Sequence, residues 1–159
     1  MATVTKTNAK SLPRAMTAPY GNANHQVYTL ATSATGVMVD SNQKTAIAAG
    51  DVIRLGIIQA GTTLVDSLSI VSAVFLGTAK VGFAYIDGVD DPNVPQNDSY
   101  FHAALALSAQ GRTRANNLAV KPVQLYKDAY LIVTPAAAQT GAGRLDIVLE
   151  NVWEGSPTL

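Results

Sequence analysis

The sequence predicts an all-β protein, an antiparallel β-sandwich or jelly roll with an extended N-terminal arm. Three observations carry that expectation. Short apolar and polar alternations of period two recur from His25 onward, and clusters of glycine, proline, asparagine and aspartate separate them. No stretch has the convincing three-and-four apolar spacing of an amphipathic helix. At 159 residues the chain is long enough for one domain with a core and short for two.

Met1 to Asn24 is polar, holds Pro13 and Pro19, and carries Lys6, Lys10 and Arg14 with no carboxylate before Asp40. An extended basic arm over 1–24 is expected, ahead of a β-sandwich domain over 25–154 and a short tail over 155–159. HQVYTLAT sets Val27 and Thr29 against Tyr28 and Leu30, and Gly36 and DSNQK break it. In GDVIRLGIIQAGTTLVDSLSI, Ile53, Leu55 and Ile57 share one face of a strand and QAGT turns the chain. Leu64, Asp66, Leu68 and Ile70 then alternate with Val65, Ser67, Ser69 and Val71. Both faces of that strand are partly apolar, which predicts a central position between two layers.

TAKVGFAYI turns Val81, Phe83 and Tyr85 inward. After the loop DGVDDPNVPQNDS, YFHAALAL reads as a strand, although alanine and leucine also suit a helix. VKPVQLY and AYLIVTP follow, with Pro122 fitting an edge or a strand start. AAAQTGAG reads as a small-residue loop with a hairpin turn at Gly141-Ala142-Gly143, and RLDIVLENVW closes the chain with Leu145, Ile147, Leu149 and Asn151 on one face.

Chemistry is sparse. Eleven acids balance eleven bases, and only 14% of residues are charged, so no bulk field draws the chain to nucleic acid or anionic lipid. The apolar run Ser67 to Ala79 is too short to cross a bilayer, and the N-terminus lacks the apolar core of a secretory signal. The absence of cysteine removes disulfides, thiolate metal sites and cysteine nucleophiles. His25 and His102 have no partner pattern of a general base or metal ligand, and no GxSxG elbow is present. The loop Asp87 to Asn93 has oxygen ligands, but Asp-Gly and Asp-Pro are ordinary turn formers; a solvated turn or a weak cation site are both open. Gly141-Ala142-Gly143 lacks the helix a phosphate loop needs. Arg112 and Arg114 form a small basic patch in what reads as a loop. Trp153 either closes the core or anchors an interface. No enzyme activity, cofactor, metal, nucleic acid, membrane or small-molecule ligand is expected.

Three stretches together resemble a known family: GDVIRLGIIQAGTTLVDSLSI, KVGFAYIDGVDD and AYLIVTPAAAQTGAGRLDIVLENV. They are similar to the head decoration, or capsid cement, proteins of tailed bacteriophages, over roughly Gly50 to Trp153. The resemblance implies a structural virion protein on the outer surface of a capsid. It implies a β-sandwich module, commonly a homotrimer, at threefold or quasi-threefold positions, bridging neighbouring major capsid subunits. On charge and position alone, Lys6, Lys10, Arg14, Arg112, Arg114 and Trp153 are the expected capsid or subunit contacts. If the arm only reaches across to the shell, its deletion leaves the domain folded. The competing reading is a carbohydrate- or receptor-binding β-sandwich of a fibre or spike, with Tyr20, Tyr100 and Tyr126 as candidate platforms.

Overall fold

The computed structural model describes residues 1–7 and 23–154. They form ten strands: β1 (Thr3–Thr5), β2 (Ala23–Ala31), β3 (Val52–Ile58), β4 (Thr62–Ala73), β5 (Thr78–Tyr85), β6 (Asn97–Ala106), β7 (Gly111–Arg114), β8 (Val123–Gln124), β9 (Ala129–Pro135) and β10 (Arg144–Trp153). One sheet has the order β1-β3-β9-β5-β6 and the other β2-β10-β4-β7, with β8 also paired to β4. Every pairing is antiparallel except β1 with β3. The molecule is the expected all-β sandwich.

The core lies between the sheets because each strand turns its apolar face inward. Tyr28 and Leu30 enter from β2, Val81, Phe83 and Tyr85 from β5, and Leu145, Ile147 and Leu149 from β10. The rings of Tyr85, Phe83, Tyr100 and Phe101 meet edge to face in that succession.

Bulges on β3 and β4 depart from the expected alternation. Register slips between Arg54 and Gly56 against β9, so Ile53, Leu55 and Ile58 face the core while Ile57 turns outward beside Tyr130. Gly56 fits there because a Cβ would stand 2.4 Å from the Tyr28 ring. On β4 the slip lies opposite Glu150 and Asn151; Leu64 points inward, then Ser67, Ser69 and Val71 do. Leu68 and Ile70 therefore face outward and are only half buried. The strand is central within its sheet, but no second layer among the described residues covers its outer face.

The N-terminal stretch differs from the expected arm. Thr3–Thr5 lies along β3, Val4 is 1% exposed, and Lys6 and Thr7 bond into the 38–42 loop and β2. The cause is a ready socket. The buried Asp51 carboxylate accepts the N–H groups of Ala2 and Ala48 at 2.7 and 2.9 Å. Lys10, Arg14, Tyr20 and the tail 155–159 lie outside the described residues.

Two further expectations are corrected. Ala136 to Gly143 is not a hairpin: β9 and β10 belong to different sheets, so the loop crosses the sandwich. Arg112 and Arg114 lie on an edge strand, β7, not in a loop.

Candidate interaction surface

The outer face of the β2-β10-β4-β7 sheet presents Arg112 and Arg114, and Lys6 and Trp153 lie at its border. Pairing sets Val27 beside Val148, Val148 beside Leu68, and Leu68 beside Arg114. A parallel row holds Thr29, Asp146, Ile70 and Arg112, and another holds His25, Glu150 and Asp66. The centre is an apolar stripe with Val27 exposed and Val148, Leu68 and Ile70 half buried.

Charges frame that stripe. The Arg114 guanidinium contacts Asp66 and reaches Glu150 at 3.3 Å, and both carboxylates hold it above its ordinary pKa, Asp66 most strongly. Arg144 Nε pairs with Asp146 at 2.9 Å. Burial alone would raise the Asp146 carboxyl, but bonds from Arg144 and Thr29 and the charges of Arg144 and Lys6 bring it below the usual range. Lys6 Nζ donates to the Thr29 carbonyl at 3.0 Å. Exposed pairs of this kind are screened by solvent, so they fix side-chain positions more than they stabilise the fold.

Four predicted contacts, Lys6, Arg112, Arg114 and Trp153, thus border one sheet. Arg114 is largely neutralised there, and Lys6 is fastened to its own domain. Trp153 ends β10 opposite Thr62 and remains 39% exposed, so part of its ring is available to a partner. Sequence reasoning passed over the stripe itself. Its signal was the two-sided apolar pattern of β4, which reflects an outer face lacking a covering layer.

The remaining candidates are closed. Ser69 Oγ lies 3.2 Å from His102 Nε2, and His102 Nδ1 lies 3.1 Å from Asn116 Oδ1, an order that resembles nucleophile, base and orienting amide. Ser69 is 1% and His102 0% exposed, so no substrate reaches them in this structure. The line instead links the two sheets and the loop after β7. In the acidic loop, Asp87 binds Lys127 and the Val89 N–H, Asp90 accepts from Asp91 and Gln96, and Asp91 accepts from Asn93 and Val94. Those oxygens brace a turn, and among the described residues no cluster of three or more His, Cys, Asp or Glu could hold a metal. Tyr100 is buried, with its hydroxyl pushed up to about 12 by burial, and Tyr126 is half buried. Neither is the exposed platform that a sugar site needs.

No protein-family model matches this chain, and no curated protein does. Solved structures do share its fold. A chain from the capsid of Ralstonia phage GP4 superposes with a TM-score of 0.63 at 18% identity, covering 99% of this chain and 100% of that one. A chain from the cyanophage Pam1 capsid asymmetric unit gives 0.55 at 11% identity, covering 86% of each. At such identities the likeness is one of fold.

Proposed function

We propose that this protein is a capsid decoration protein. It binds the outer surface of a phage shell and bridges neighbouring major capsid subunits, as a homotrimer at threefold or quasi-threefold positions. The observation that carries the reading is the fold match over the whole chain to a phage capsid chain. The partly apolar outer sheet face, framed by fixed charges, supplies a surface for association. We read the order β2-β10-β4-β7 over β3-β9-β5-β6 as that of a jelly roll, two Greek keys closed on one core.

The mechanism is linkage. A ligand that binds only the assembled, expanded lattice stabilises it against opening. At a free concentration a hundredfold above the dissociation constant, each site gains about 2.7 kcal/mol. A trimer engaging three subunits adds avidity, because the second and third contacts form within one complex. No reactive centre is needed for this.

Sedimentation tests it. The free protein is expected to run as a trimer, and mixed with expanded capsids lacking it, to co-sediment at a saturating copy number compatible with shell symmetry. A protein that stays in the supernatant at micromolar concentration overturns the reading.

A further inference from the structure

Asp51, the residue just ahead of β3, is a carboxylate only 2% exposed. A buried carboxylate ordinarily sits beside a cation. Among the described residues no lysine, arginine or histidine forms an ion pair with this one. Backbone nitrogens hold it instead: Oδ1 accepts from the Ala2 N–H at 2.7 Å and Oδ2 from the Ala48 N–H at 2.9 Å.

The Ala2 nitrogen is one bond away from being charged. It is joined to Met1, which is 96% exposed and lies outside the core. The seating of β1 starts only at Ala2, whose carbonyl accepts the Val52 N–H at 2.9 Å, and continues with the buried Val4. Met1 can therefore be lost without loosening the strand. Methionine aminopeptidases remove a leading methionine where the next residue is small, and alanine meets that requirement.

We propose that the Met1–Ala2 bond is a processing site and that the α-ammonium group freed on Ala2 is the ionic partner of Asp51, locking β1 onto β3. Water adds across the bond: methionine leaves with the new carboxylate, and the Ala2 nitrogen takes up protons to become an ammonium. That nitrogen already stands at hydrogen-bond distance from Oδ1, so the ion pair forms with the backbone in place. A bond from a neutral amide becomes one between two charges, which is the stronger kind. Ala2 is exposed, so the remaining ammonium protons stay in water and the cost of desolvation is limited. The lock needs no capsid and stands apart from the decoration reading.

The test uses the full chain expressed in bacteria as wild type, Ala2→Ser, Ala2→Gln and Asp51→Asn. Intact mass and N-terminal sequencing should find Met1 removed from all but Ala2→Gln, whose second side chain is too large for the aminopeptidase. Trace acylation at pH 7 then reads the free α-amine. An opposite charge in contact favours the ammonium form, and a modest preference lowers the reactive amine about tenfold. Folded wild type and Ala2→Ser should thus label at least about tenfold more slowly than the same chains in guanidinium. Ala2→Gln, which carries its α-amine on the exposed Met1, should label as fast folded as unfolded and should melt below Ala2→Ser. Asp51→Asn should also lose the slowing; if it does not fold, Ala2→Ser against Ala2→Gln carries the comparison. A wild-type chain that keeps Met1, or any residue ahead of it, overturns the proposal. So does a processed wild type whose α-amine labels equally fast folded and unfolded, or equal labelling of folded Ala2→Ser and Ala2→Gln.

Discussion

His102 sits among groups that leave little room for a charge. Ser69 approaches from β4 and Asn116 from the loop after β7, while Asp66 acts from further along β4. Burial lowers the imidazole pKa below its usual 6.5, against smaller upward pulls from the Asn116 bond and the Asp66 charge. Below about pH 6.5 the unfolded chain therefore binds a proton that the folded chain resists, and stability falls as pH falls through that window. Thermal midpoints measured from pH 8 to 5 should drop for the wild type and change less for His102→Gln. At pH 8, His102→Gln should itself be less stable by about 1–3 kcal/mol, since it strands the Ser69 and Asn116 groups. Identical pH slopes for the two proteins would remove the assignment.

At the scale of elements, β1 is the instructive case. It pairs with one neighbour only, yet it buries Val4 and supplies the Ala2 N–H to the buried Asp51 carboxylate. Removing residues 1–7 should cost about 2–4 kcal/mol and bare the edge of β3 to other chains. Urea unfolding reads the loss, and an unchanged midpoint would mean that β1 contributes nothing. The sequence disguised this strand because Thr3–Thr5 sits in a polar, proline-bearing stretch whose composition speaks for an arm. Strand existence was otherwise well marked, as in β2, β5, β9 and β10, where one apolar face sufficed. Facing after a bulge was not: Ile57 and Leu68 look like continuations of their strands until one slipped residue reverses them. β7, with all four residues exposed, leaves no apolar signal at all.

For the whole molecule, sheet membership was the illegible part. All inward faces look alike whichever sheet carries them, so period two predicted a sandwich but not the crossings of β3, β4, β9 and β10 between layers. The candidate surface was partly legible. Charge and position picked out Arg112, Arg114 and Trp153, while the stripe of Val27, Val148 and Leu68 emerges only once three strands distant in sequence lie side by side. The same non-local pairing has a kinetic consequence. Apart from β5 with β6, no neighbouring strands in either sheet are consecutive in the chain. Loop closure must then precede most contacts, and refolding from urea should take milliseconds to seconds. Stopped-flow fluorescence of Trp153 measures it, and completion within microseconds would contradict this topology.

The unequal seating of the first and last strands bears on mechanical load. β10 lies between β2 and β4 with long antiparallel ladders on both sides, whereas β1 is held by three residue pairs on one side. A pull on the two ends therefore loads them unequally: β10 must shear along two ladders at once, while β1 has a short single seam to lose. Under tension the first event is detachment of β1, a small yield that relieves the load while the sandwich stays closed.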